Sequence, residues 1–234
     1  MMAKRALAVM VLGWLAGVAP GFACEGGAPF PNVQAALPDL KILAIGSSST
    51  GGVGAGKKDA AYPQQIAPAL APWSLYPTVE ARGVGGEKAA GALVRLPDAI
   101  AETDPVLVIW QVGTNDANAR LDPEDVAETI RAGIAIIRAA GADALLVDPQ
   151  FYPRIANKPH YEEMAERIDA VGAELCVPVV DRFEEMRVAG PALPSLLARD
   201  RFHMSALGHR LLAESIGREI RCGLGYPCEK GTAE

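Results

Sequence analysis

Four short apolar runs punctuate the chain, Ile42 to Ile45, Val106 to Val112, Ala144 to Val147 and Val177 to Val180, each bounded by turn-forming residues. A run of this length with no polar alternation reads as a strand covered on both faces. Leu75 to Ala81 is a fifth, weaker run, and Pro77 within it removes a ladder donor, which predicts a place at the sheet edge. Between the runs the spacing changes to that of helices. Val126, Ile130, Ile134 and Ile137 fall on one stripe of a helix over 123–140, with Asp122 as N-cap, Pro123 in the first turn and Gly141 just past the end. Tyr161, Met164, Ile168, Val171 and Leu175 repeat the spacing, and Leu207, Leu211 and Ile220 mark a last helix opened by Ser205. Strands alternating with helices imply an α/β fold, a three-layer α/β/α sandwich around a parallel sheet with right-handed crossovers.

The ends of the chain add a compartment. Lys4 and Arg5 precede an apolar run from Ala6 to Val18 and small residues from Ala19 to Ala23, so residues 1–23 read as a signal peptide and the protein as periplasmic or secreted. That run is shorter than the roughly 20 residues a spanning helix needs, and no stable membrane span is expected. Residues 24–40 have the Pro and Gly content of a flexible lead-in, 41–221 read as one domain, and 222–234 as a tail. In an oxidising compartment the four cysteines, Cys24, Cys176, Cys222 and Cys228, point to disulfides. Three pairings are possible; Cys222 and Cys228 bracket a turn-rich loop and are the favoured pair, whereas a buried free thiol is a serious alternative for Cys176 beside Val177 to Val180. Neither cysteines nor histidines cluster at ligand spacing, so no metal site is expected. A formal charge of -6 with mixed signs lacks the basic stripe that nucleic acid requires.

Chemistry enters through four polar-and-glycine motifs: Gly46-Ser47-Ser48-Ser49, Gly83-Val84-Gly85-Gly86, Gly113-Thr114-Asn115-Asp116 and Asp200-Arg201-Phe202-His203. Three of them follow a predicted strand, where ligands bind in open α/β sheets, and the fourth precedes the last helix. Each alone is an ordinary turn. A second pattern overlaps the first motif, since Gly51 to Lys58 follows a phosphate-loop spacing, but Lys58 stands where that loop needs Ser or Thr.

In content and order the four motifs resemble the SGNH branch of the GDSL esterases and lipases. The resemblance implies the flavodoxin-like strand order 2-1-3-4-5, Ser48 as nucleophile, His203 as base and Asp200 as the carboxylate that orients it. It also implies an oxyanion hole from the amides of Ser48 and Gly86 with the Asn115 side chain, and chemistry without a cofactor. A side chain at Gly86 is expected to obstruct the substrate carbonyl. Two positions depart from the family pattern: Ser47 stands where Asp is usual, and Ala81 where Asn is usual. His160 and His209 are alternative bases, but neither has a carboxylate three residues upstream. The chain therefore reads as an exported serine esterase for small-molecule or glycan esters, with short acyl groups favoured because its loops are brief and glycine-rich. A polysaccharide O-deacetylase and a non-catalytic carbohydrate- or partner-binding module are the alternatives. Pro149 to Arg154, after the fourth strand, is expected to lie at the mouth and shape specificity.

Overall fold

A computed structural model describes residues 29–227. In chain order the elements are α1 (Pro31–Ala36), β1 (Lys41–Gly46), α2 (Tyr62–Leu70), β2 (Thr78–Gly83), α3 (Ala89–Thr103), β3 (Leu107–Gln111), α4 (Thr114–Asn118), α5 (Pro123–Ala139), β4 (Asp143–Val147), α6 (Lys158–Leu175), β5 (Val179–Val180), α7 (Arg182–Val188), α8 (Leu193–Leu196) and α9 (Ala206–Gly223). The strands form one parallel sheet in the order β2-β1-β3-β4-β5. All of β3 and β4 is buried, as the unbroken apolar runs require. Helices α3, α5 and α6 pack side by side in one layer, and α2 packs against α9 in another.

The helix ends follow the capping chemistry. Asp122 accepts a hydrogen bond from the Glu124 amide and Ser205 from the Gly208 amide, so each satisfies a donor that the first turn leaves unpaired. Val126, Ile130, Ile134 and Ile137 are all buried. The stripe even accommodates an indole: a Cβ at Gly133 would sit 2.1 Å from Trp110, so only glycine lets α5 lie this close to β3.

Where structure and expectation differ, the cause is local. Helices α2 and α3 carry Pro63, Pro68 and Pro97 and bury mostly small residues on α3, which hides their periodicity. Strand β2 starts after Pro77 and stands at the edge, and Pro178 shortens β5 to two residues. The expected flexible lead-in is packed over its described part. Phe30 and Val33 are buried, and the Val33 amide and Asn32 side chain donate to the Asp143 carboxylate at 2.9 and 2.8 Å. Residues 1–23, Cys24 and Cys228 lie outside the described residues, while Cys176 and Cys222 are not free thiols. Among the described residues no helix is long and apolar enough to cross a membrane.

Beyond the carboxyl ends of β4 and β5, carboxylate oxygens of Asp148, Asp169 and Asp181 lie within 4.8 Å of one another. Burial, with Asp181 and Glu166 adding repulsion, pushes the Asp169 carboxyl up to about 6. A carboxyl raised in the folded state binds more protons there than in the unfolded chain, so it opposes folding above its folded pKa and ceases to as pH falls. Asp169→Asn should therefore raise Tm by roughly 2–4 °C near pH 8 and change it little near pH 4.5, read by thermal unfolding at both values. An equal offset at both would show that titration is not the cause.

Candidate active site

Strand β1 ends in a turn whose serines face different surroundings. The amide and hydroxyl of Ser47 both donate to Gln111 Oε1, at 3.0 and 2.9 Å. Ser49 donates to Gln150 Oε1 at 3.4 Å and accepts from Arg182 Nη1 at 3.3 Å. Both residues are buried and drawn inward. Ser48 between them is half-buried, and its hydroxyl takes no part in that network. The amides of Gly51 and Val53 donate to the carbonyls of Ser47 and Ser48, which closes the turn. The departure at Ser47 thus keeps a side chain that fastens the turn, with Gln111 as its partner.

The second and third motifs meet beside it. Glu87 donates its amide to the Val84 carbonyl at 3.1 Å, forming a tight turn with Gly86 at φ +76°. No protein atom lies within 4 Å of where a Gly86 Cβ would stand, so its left-handed backbone is the constraint the structure places on this residue. Asn115, just past Gly113 at the start of α4, donates its side-chain amide to the Glu87 carbonyl at 2.8 Å. Asp116 accepts from the Ala89 amide at 3.0 Å and so holds the first turn of α3. Burial pushes the Asp116 carboxyl up, and the backbone donors and Lys88 oppose that shift. Ser47, Glu87, Gln111 and Asn115 line one narrow crevice.

His203 is presented from a hairpin-like loop, closed by the Ala198 amide on the His203 carbonyl at 2.7 Å and by pairing of Leu197 with Met204. Asp200 Oδ1 accepts from the amides of Phe202 and His203, both at 3.0 Å, and Asp200 Oδ2 lies 2.6 Å from His203 Nδ1. Burial alone would raise the Asp200 carboxyl, but the imidazole and the two amides together hold it below the usual carboxylate value. Arg201 adopts φ +58°, an uncommon backbone for a residue with a side chain, at the tip that sets this geometry. The loop reaches the serine turn through Gly54, where a Cβ would meet His203 Cβ at 3.0 Å.

Hydrogen bonds thus join His203 to Asp200 and Asn115 to the Gly86–Glu87 turn. None joins Ser48 to His203 in this structure, and such bonds often tighten only when substrate orders a site. The other histidines have different surroundings. His209 is fully buried, with Nδ1 accepting from the Tyr62 amide and Nε2 against the Val53 carbonyl, each at 3.2 Å, an arrangement that places the proton on Nε2. Burial pulls it down to about 4, so the ring stays neutral and braces the loop that carries Gly54. His160 stands in the first turn of α6, and its Nε2 is buried with no hydrogen-bond partner among the described residues. Gly51 to Lys57 forms turns and Lys58 opens only a short 3₁₀ segment, so the phosphate-loop spacing lacks its helix.

Gln150, in the loop that the sequence places at the mouth of the site, is buried. Its amide donates to Thr114 Oγ1 at 3.2 Å, its Nε2 to the Phe202 carbonyl at 2.6 Å, and its Oε1 accepts from Ser49. One side chain and its backbone therefore touch the serine turn, the Asn115 motif and the His203 loop. Gln111 and Gln150 each end or follow an apolar strand run, and a glutamine there must find partners once buried, the one clue the sequence offered. The assembled groups are a serine hydroxyl outside the buried network, a carboxylate-held imidazole, and amides on the adjacent turn.

Residues 18–190 match the non-GDSL lipase-like family, a span that ends before Asp200 and His203. Esterase TesA of Pseudomonas aeruginosa is 30% identical over 134 residues, 57% of this chain and 64% of that protein, so the chain spans a little under two thirds of that relative's length. A solved structure of TesA superposes with a TM-score of 0.69 at 23% identity, covering 79% of this chain and 99% of the other. A catalytic mutant of an acetylxylan esterase from Geobacillus stearothermophilus superposes with a TM-score of 0.65 at 20% identity, covering 82% and 97%. These two likenesses establish a shared fold.

The clamp on the Gly86 turn can be tested without any substrate. Asp116→Ala leaves the Ala89 amide unpaired in a buried position and should cost about 1–3 kcal/mol in urea unfolding. Asp116→Asn keeps an acceptor and should cost less than half of that. Equal losses in the two variants would remove the hydrogen bond from the explanation.

Proposed function

This chain belongs to the non-GDSL lipase-like family, and we propose that within it the protein is an exported serine esterase acting on carboxylic esters with short acyl groups. The observation that carries this reading is a serine turn in which Ser48 alone escapes the buried hydrogen bonds, next to a loop where Asp200 holds His203 at 2.6 Å. Ser48 Oγ attacks the ester carbonyl while His203 Nε2 takes its proton, and the Asp200 carboxylate stabilises the imidazolium. The amides of Ser48 and Gly86 and the side chain of Asn115 receive the oxyanion. The alcohol leaves with the proton returned by His203, and a water, deprotonated by the same ring, releases the acid.

The P. aeruginosa relative bears the name esterase, and one fold neighbour is an acetylxylan esterase, which supports ester chemistry and the acetyl end of the acyl range. Deacetylation of a polysaccharide is the second reading within the same mechanism. A binding module without catalysis would keep the fold but hydrolyse nothing. A signal peptide over 1–23 and a Cys222–Cys228 bridge complete the proposal, and mass spectrometry of the secreted, unreduced protein tests both: an intact Met1 or free thiols at those two cysteines would overturn them.

Ser48→Ala and His203→Ala should each lower kcat by about 10⁴ to 10⁶ with unfolding midpoints kept. Ser47→Ala and Ser49→Ala should remain measurably active. A dead Ser49→Ala beside an active Ser48→Ala would assign the nucleophile differently. Wild-type activity should rise from acid to neutral pH, because the imidazole must be unprotonated to take the serine proton.

Acyl preference is measured separately with p-nitrophenyl esters. Rates should peak between acetyl and butyryl. A buried methylene contributes about 0.8 kcal/mol where a groove exists, so kcat/KM climbing steadily to long chains would show an acyl groove and contradict the short-acyl claim.

A further inference from the structure

The lysines and arginines of the described residues divide by position. Those carried on helices and on β1 and β2 are engaged: Arg131 with Glu124 and Glu174, Arg218 with Glu185, Lys41 with Asp104, Arg82 with Glu80 and Glu102, and Arg221 over the Trp73 ring at 4.2 Å. Another group has no ion pair among the described residues, and all of it stands on loops at the carboxyl end of the sheet. Lys57 and Lys58 lie in the segment after β1, Lys88 after β2, Arg120 between α4 and α5, Arg154 after β4, and Arg199 and Arg201 flank Asp200. Every one is exposed.

These loops are the ones that build the site. Lys88 sits between Glu87 and Ala89, the two residues held by Asn115 and Asp116. Arg201 lies between Asp200 and His203, and Arg154 follows Gln150, which donates to Phe202. Lys57 extends the turn in which Gly54 meets His203. The acids nearest the same loops are largely committed: Glu87 pairs with Arg95, Asp122 caps α5, Asp181 caps α7, and Asp200 holds His203. Asp59, Asp125 and Asp169 remain, and Asp122 and Asp181 keep their charge because a backbone amide does not neutralise a carboxylate, but of these only Asp59 lies on the loops that carry the motifs. On those loops Lys57, Lys58, Lys88, Arg154, Arg199 and Arg201 are exposed while Asp59 and Asp200 are the exposed acids, so in a chain of formal charge -6 the rim of the site is locally cationic.

Exposed charges are screened beyond about 8 Å at physiological ionic strength, so such a rim acts on what arrives at the mouth and hardly elsewhere. A rim of one sign raises the local concentration of the opposite charge and favours its binding. We infer that the ester this site takes carries an anionic group, a carboxylate or a phosphate, on its alcohol part. The inference rests on the esterase reading and names its substrate class. The acyl side faces the oxyanion donors, and the alcohol, the larger part of the substrate if the acyl group is short, extends to the rim where Lys57, Arg154 and Arg201 stand.

Matched aryl acetates test this. 4-Acetoxybenzoate and 4-acetoxy-N-methylbenzamide differ in the charge on the alcohol part, and 4-acetoxyphenyl phosphate separates phosphate from carboxylate. At low salt the anionic esters should show KM about fivefold or more below that of the amide, with the gap closing in about 0.5 M NaCl. The Lys57→Glu/Arg154→Glu double variant should lose the gap, read as the ratio of kcat/KM for the anionic ester to that for the neutral amide within the same variant. Equal KM values in the wild type, or a gap that survives in the variant, would overturn the inference. If no ester is cleaved, the esterase reading fails, and calorimetry of 4-methoxybenzoate against 4-methoxy-N-methylbenzamide then decides the rim: tighter anion binding that the double variant abolishes supports it, and equal affinity overturns it.

Discussion

The site depends on burying amide side chains that can be satisfied only if separate loops meet. Gln150 has Ser49, Thr114 and the Phe202 carbonyl as its partners, and these come from the serine turn, the start of α4 and the His203 loop, far apart in sequence. A buried donor or acceptor left unpaired costs about 1–3 kcal/mol, so displacing any one loop strands a polar group and is opposed by that amount. Gln111 does the same between β3 and the serine turn. The parallel sheet makes this possible by ending β1, β2, β3 and β4 at a common level, with Gly46 opposite Gly83 and Gln111 opposite Val147.

Below these loops lies Arg182, whose Nε and Nη2 donate to the Asp148 carbonyl and whose other contacts are the hydroxyls of Ser49 and Thr114. It is a fully buried cation whose hydrogen bonds go to neutral oxygens, with the Asp148 carboxylate nearby as counter-charge. Burial draws the guanidinium down and Asp148 opposes that, and arginine keeps its proton in either case. Its position fixes a positive charge beneath the loops to which the proposed mechanism assigns the oxyanion, where reorientation of solvent would not be needed. Stability and chemistry thus draw on one network: the bonds that keep Ser47 and Ser49 inward are those that leave Ser48 outward.

How much of this was legible in the sequence varied with the physics. Strands buried on both faces leave unbroken apolar runs, and α5 announced itself through Asp122, Pro123 and its isoleucine stripe, so the sheet and its long helices could be read. Helix α3 could not, because alanines bury without a strong periodic contrast and Pro97 argues against a helix. The packing of the segment before β1 does not show in the sequence, because its proline and glycine content conceals Phe30 and Val33, whose burial is decided by Gly223 and Asp143 far along the chain. Motif residues at the site were legible as patterns. Their supports were not, since Gln111, Gln150, Asp116 and Arg182 acquire meaning only through partners that the fold brings to them.

The central claim is that Ser48 is the one serine of its turn free to react and that His203 makes it reactive. Labelling the mature protein with a fluorophosphonate and mapping the adduct by peptide mass spectrometry tests both parts at once. The account predicts a stoichiometric adduct on Ser48 that Asn115→Ala slows and His203→Ala nearly abolishes. An adduct on Ser47 or Ser49, or labelling of Ser48 at the same rate without His203, would contradict it.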